Sequence, residues 1–95
     1  MSDQLRVRLL QWGSGLDPAE NRARLEAAVS GESDLAVLPE VFARDYGKAG
    51  SDISDFAEEM DGPFVSELER VAGAAGTTAI AGMFERSGDP DRPFN

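Results

Sequence analysis

The sequence predicts an α/β fold in which three parallel strands alternate with two helices in the order β-α-β-α-β. Three observations predict it. Short apolar runs at residues 5–11, 34–40 and 77–84 have the length and patterning of strands. The two segments between them carry helix caps and a 3.6-residue apolar period. Strands joined through helices cross over right-handedly, which makes them parallel.

Leu5 to Gln11 reads as the first strand, with Leu5, Val7 and Leu9 alternating against Arg6 and Arg8 before Leu10 breaks the pattern. Gly13, Ser14 and Gly15 make the turn. Asp17 starts a helix as an acidic N-cap, with Pro18 at the first helical position and Glu20 completing a capping box. Leu25, Ala28 and Val29 form its apolar stripe, and Gly31 ends it. The segment DLAVLPE is a short apolar run typical of a strand covered on both faces. Val41 to Gly50 is irregular, and Ser51 to Met60 is polar with one helical turn. The second helix opens at Pro63 after Gly62. Phe64, Leu68, Val71, Ala72 and Ala75 fall on one of its faces, and Gly76 stops it. Thr77 to Phe84 is the third strand, SGDPDRP is a loop, and Pro93-Phe94-Asn95 reads as the start of another strand.

Three parallel strands leave two open edges, and two helices cannot cover both faces of a buried sheet. Residues 1–95 are therefore expected to be the opening fragment of a single larger α/β domain. Hydrophobic residues make up 41% of the chain, enough for a real core. Eighteen acidic side chains against nine cations, eight arginines and Lys48, give a net charge of −9. Such a chain has no electrostatic footprint for nucleic acid or an anionic membrane surface. Cysteine and histidine are both absent. That removes disulfides, thiolate metal sites, a thiol nucleophile and the commonest general base within these residues, and no cofactor or metal is expected. Asp3, Arg6 and Arg8 interrupt what would be the apolar part of an export leader, and no apolar run approaches the ~20 residues needed to span a bilayer. The expected location is the cytoplasm.

Glu40 is the leading candidate for chemistry. It follows Pro39 at the carboxyl end of the second strand, where open α/β sheets place their ligand sites. Proline holds Leu38 extended and ends the ladder. Beside apolar residues, a glutamate there has its pKa raised toward neutrality and acts as a general base. The plain alternative is a solvated or ion-paired carboxylate at a strand end. Gly13 and Gly15, with Glu40 ending the next strand, imitate a dinucleotide fingerprint. Against it, Pro18 stands at the third glycine position, and the Asp17 side chain occupies the helix N-terminus that would receive pyrophosphate. Asp52, Asp55, Glu58, Glu59 and Asp61 lack the alternate spacing and central glycine of a calcium loop and read as a solvated face. Trp12, Phe56 and Phe64 read as packing residues.

One ordered set of segments goes further. A strand ends at Gln11, and Asp17-Pro18 and Asn21 lie on the first helix. DLAVLPE is followed by Phe42 and Tyr46. Met60-Asp61-Gly62-Pro63 precede the second helix, Ile80-Ala81-Gly82 lie in the third strand, and Phe94-Asn95 come last. From Leu5 to Asn95 this set resembles the N-terminal part of the carbon–nitrogen hydrolases, the nitrilase superfamily. The resemblance implies an αββα sandwich, of which this β-α-β-α-β chain is the incomplete N-terminal part. It also implies a Glu-Lys-Cys triad in which the cysteine attacks an amide or nitrile carbon, the lysine stabilises the developing charge, and the glutamate serves as base. Glu40 matches the base. The lysine and cysteine of such enzymes lie beyond Asn95, and Lys48 matches neither. Asp45 stands where glycine is usual before the tyrosine, which would require an aspartate at positive φ if the loop keeps that shape. Tyr46 is expected either to line the substrate pocket or to pack with its hydroxyl satisfied.

The resulting expectation is a hydrolase of small linear amides, amidase-like, with a small-molecule amide or nitrile substrate. No nucleic-acid or membrane partner is expected, and homo-oligomers are expected at full length. The alternative is a non-catalytic module with a structural or interaction role.

Overall fold

In a computed structural model, residues 3–29 and 31–95 are described. Met1, Ser2 and Ser30, the last within the span read as the first helix, lie outside the described residues. The elements are β1 (Val7–Leu9), α1 (Pro18–Ala23), α2 (Leu25–Val29), β2 (Leu35–Val37), a single 3-10 turn (Ser54–Phe56), α3 (Pro63–Ala75) and β3 (Thr78–Ile80).

The local signals act where the sequence places them. The Asp17 carboxylate accepts from the Ala19 N–H at 2.9 Å, with Pro18 in the first helical position. Among the described residues the Glu20 side chain makes no hydrogen bond to the Asp17 N–H, so the capping box does not close; the Asp17 carboxylate alone caps the start. The expected first helix is broken at Arg24, whose N–H bonds to the Asn21 carbonyl in a tightened turn. Its guanidinium reaches back to the Gly13 carbonyl at 2.7 Å and lies over the Trp12 ring at 5.2 Å. The second helix runs from Pro63 to Ala75 and ends at Gly76, whose φ of 66° is the left-handed cap that glycine adopts without strain. The Glu58 carboxylate accepts from the Phe64 N–H at 2.8 Å, so this member of the acidic stretch caps a helix and is only half exposed.

All three strands pair in parallel in the order β1-β2-β3, with Val7 opposite Leu35 opposite Thr78 and Leu9 opposite Val37 opposite Ile80. Two crossovers of the same hand stepping in the same direction place their helices on the same face of the sheet. Burial agrees. Ala36 is fully buried toward the helices, whereas Leu9 is 72% exposed and Ile80 55% exposed on the opposite face. Both helices lie on one side of β2, in line with the expectation that two helices cannot cover both faces of the sheet. The core lies between sheet and helices. It joins Leu25, Ala28 and Val29 of α2, Phe64 and Val71 of α3, Ala36 and Leu38 from the β2 run, and Phe42 beyond it. Fully buried Phe42, Phe64, Leu25 and Val29 each contribute ~1.5–3 kcal/mol relative to exposure. Phe42 thus anchors the chain two residues past Glu40.

The end of the chain is paired. Glu85 and Phe94 exchange N–H···O bonds of 2.8 and 2.9 Å in an antiparallel bridge. The intervening loop is stapled by Ser87, whose single hydroxyl proton is within reach of the carbonyls of Asp89, at 2.7 Å, and Arg92, at 2.8 Å. The fold thus returns Asn95 toward the carboxyl end of β2.

Candidate active site

Glu40 sits one residue past Pro39 where β2 ends, and its carboxylate is exposed. The backbone beside it is held from three sides. Val41 has φ of 49°, the left-handed region that a β-branched residue strongly disfavours. The Ser14 hydroxyl donates to the Val41 carbonyl at 3.1 Å, and the Ala43 N–H donates to the Gly82 carbonyl at 3.2 Å. Gly82 packs so closely that a β-carbon there would collide with the Val41 nitrogen and lie 3.0 Å from the Glu40 Cα. Strain of this kind persists only where surrounding structure over-determines it, and here three contacts do.

Asn21 ties the opposite wall together. Fully buried, it accepts from the Gly15 N–H at 2.8 Å and donates to the carbonyls of Gly15 at 2.8 Å and Ala43 at 3.1 Å. The Asp45 N–H adds a 3.0 Å bond to the Gly15 carbonyl. The loop after β1 and the loop after β2 are thereby fixed to each other.

Buried Arg44 organises the two residues that follow it. Its guanidinium lies over the Phe56 ring at 3.8 Å and donates to the carbonyls of Leu16, Asp45 and Tyr46 at 3.3, 3.0 and 3.4 Å. Asp45 does not adopt positive φ; Gly47 does, at 76°, while the Asp45 carboxylate accepts from the Gly47 N–H at 2.9 Å. The departure from glycine at position 45 is accommodated without left-handed strain at that residue. Tyr46 then projects against Phe84, edge to face at a centroid distance of 5.1 Å.

Two side chains meet at the Glu40 carboxylate. The Tyr46 hydroxyl donates to Oε1 at 3.0 Å, Asn95 Nδ2 donates to the same oxygen at 2.7 Å, and Asn95 Nδ2 also lies 3.0 Å from the Tyr46 hydroxyl oxygen. These bonds hold the Glu40 pKa below its ordinary value, Asn95 contributing most and Tyr46 next. The expectation of a pKa raised toward neutrality is overturned, because in this chain the carboxylate is exposed and hydrogen-bonded in its charged form. Reciprocally, the carboxylate pushes the Tyr46 phenol up. Lys48 is exposed and takes no part. Among the described residues no group of three or more acidic side chains is arranged to hold a metal ion, and no helix is long and apolar enough to cross a membrane.

The sequence placed Glu40 and Tyr46 in one site and named Asn95 and Gly82 only as segments of a resemblance. Gly82 carried a legible signal, since glycine inside a strand often marks close backbone approach. Ser14 and Arg44 carried none.

The family model of the carbon–nitrogen hydrolases matches residues 6–95. The chain belongs to the carbon–nitrogen hydrolase family. It is 39% identical over 90 residues to a hydrolase of Mycobacterium tuberculosis, covering 90% of this chain and 31% of that one. A hydrolase from the pqqF 5′ region of Pseudomonas protegens is 40% identical over 76 residues, 78% of this chain and 27% of that one. The fold is similar to the crystal structure of a carbon–nitrogen hydrolase superfamily protein from Xanthomonas campestris, which has an arsenic adduct in its active site. The TM-score is 0.72 at 34% identity, covering 88% of this chain and 32% of that chain. The chain thus spans about a third of the length of the relatives it matches. In keeping with that family's fold, the parallel sheet with helices on one face is part of an αββα sandwich.

Proposed function

We propose that these residues are the N-terminal part of a single cytoplasmic domain that hydrolyses small linear amides, with Glu40 as general base of a Glu-Lys-Cys triad. The observation that carries this reading is the placement of Glu40: an ionised carboxylate at the carboxyl end of a parallel strand, on a backbone fixed by Ser14, Ala43 and Gly82. A lysine and a cysteine contributed by chain beyond Asn95 complete the site. Glu40 accepts the thiol proton as sulfur attacks the amide carbon. It then passes that proton to the leaving amine as the C–N bond breaks and a thioester forms. Water gives a proton to Glu40 as it attacks the thioester, and the thiol departs with that proton. A carboxyl that begins ionised is in the form the first step needs. Arsenic is a soft partner for thiolate, so the adduct in the Xanthomonas campestris relative suits a cysteine nucleophile.

The test is ammonia release from small linear amides by the product of the complete reading frame that holds these residues, beside residues 1–95 alone. The expected result is turnover by the complete product and none by residues 1–95, which hold no nucleophilic cysteine. A folded complete product inert toward amides, nitriles and carbamoyl compounds contradicts the reading and favours a non-catalytic module.

A further inference from the structure

We infer that Asn95 and Tyr46 are positioning residues that anchor Oε1 of Glu40 and leave Oε2 as the working oxygen of the base. This rests on the reading of Glu40 as the general base. The two donors converge on a single oxygen: Asn95 Nδ2 at 2.7 Å and the Tyr46 hydroxyl at 3.0 Å both reach Oε1, and no described residue donates to Oε2. The second amide proton of Asn95 is directed to the Tyr46 oxygen at 3.0 Å, so the three side chains close a ring of hydrogen bonds.

Such a ring has two chemical consequences. Two donors on one oxygen oppose rotation of the carboxylate, so the lone pairs of Oε2 keep a fixed direction toward the incoming proton. When Oε2 takes that proton, Oε1 becomes the carbonyl oxygen of a carboxylic acid and still accepts both bonds. The anchor therefore holds in both protonation states, as required of a group that accepts a proton and returns it. The Tyr46 O–H, already committed to Oε1, is not free to donate to a substrate carbonyl. Tyr46 is a positioning residue rather than a substrate-binding one.

Each donor is itself fixed. Tyr46 is braced by the Phe84 ring and by the grip of Arg44 on its carbonyl. Asn95 is delivered by the Glu85–Phe94 pairing. Both are exposed side chains, so trimming them leaves the core intact.

The test compares the parent, Tyr46→Phe and Asn95→Ala in the product of the complete reading frame. The Glu40 carboxyl carbon is followed by NMR and assigned by its loss in Glu40→Gln. The expected result is an upward move of the Glu40 titration in each variant, since a donor to the charged form has gone. The acid limb of kcat/KM should move up with it. The rate constant kcat should fall roughly 10-fold or more with KM little changed, on the scale that small misplacements of a catalytic group cost. A Glu40 titration that does not move in either variant overturns the inference. So does a Tyr46→Phe variant that raises KM while kcat is intact. If the parent hydrolyses nothing, the proposed function falls, and the titrations still decide the anchor on their own.

Discussion

Gly82 and Glu40 are so closely packed that the backbone carrying the carboxylate tolerates no side chain opposite it. A β-carbon at Gly82 would lie 3.0 Å from the Glu40 Cα and collide with the Val41 nitrogen. Gly82 is thus the structural counterpart of the strained Val41, one strand making room for the turn of its neighbour.

Gly82→Ala should therefore lower stability by about 1–3 kcal/mol, the range for overpacking a well-fitted site. Gly73→Ala is the control. Gly73 is exposed within α3 with nothing near its absent β-carbon, so alanine there should stabilise by about 0.5–1 kcal/mol. Urea unfolding of both variants checks the pair. A neutral Gly82→Ala would mean that the turn at Glu40 relaxes freely.

Buried Asn21 joins two loops through three hydrogen bonds, so Asn21→Ala takes a partner from the Gly15 N–H and the Ala43 carbonyl, while the Gly15 carbonyl keeps its bond from the Asp45 N–H. The expected loss is about 2–4 kcal/mol, since buried groups left unsatisfied cost more than a made bond is worth. Asn21→Asp should be no better, because a carboxylate cannot donate to the two carbonyls. Denaturation midpoints of the two variants test this, and a loss within error of zero would contradict it.

The hydrogen bonds at Glu40 also set a pH dependence. Its folded pKa lies below the ordinary value of 4.5, so its contribution to stability is present above that value and lost as pH falls through the folded pKa. Tyr46 has the opposite sense. Its folded pKa is raised above 10.0, so its contribution is present below that value and lost as pH rises through the folded pKa. Glu40→Gln should accordingly flatten the acid limb of the stability curve. Stability measured from about pH 2 to 6 for parent and variant decides it, and parallel curves would rule out the coupling.

The uncovered sheet face makes a prediction for residues 1–95 in isolation. Leu5, Val7, Leu9 and Ile80 are exposed there, with β1 and β3 as open edges. The isolated chain should self-associate with rising concentration, and Leu9→Lys with Ile80→Lys should reverse this. Sedimentation velocity is the measurement. A parent that stays monomeric at all concentrations would show that the face needs no cover.

What the sequence made legible is what is decided locally. Asp17-Pro18 and Gly62-Pro63 start helices, and Gly76 ends one, because caps act within a turn. Parallel pairing followed from alternation of strands and helices. Which face the helices take was not legible, since whether they lie on one face or two depends on strand order, which periodicity does not encode. In the site, Pro39 marked where Glu40 leaves the sheet. The direction of its pKa was not legible, because the strongest cause is Asn95, 55 residues away in the chain. The left-handed Val41 was equally hidden, as valine is among the residues least expected there.

The most direct measurement of the central claim is the turnover rate of Glu40→Gln in the product of the complete reading frame. Glutamine keeps the size and an acceptor for Tyr46 but removes the basic oxygen, so neither the thiol nor the water finds its proton acceptor. The account predicts a fall of at least ~10²-fold with the protein still folded, while Glu20→Gln and Glu69→Gln, on exposed helix surfaces, leave the rate nearly unaltered. A folded Glu40→Gln variant with near-full activity would show that Glu40 is a structural carboxylate and contradict the account.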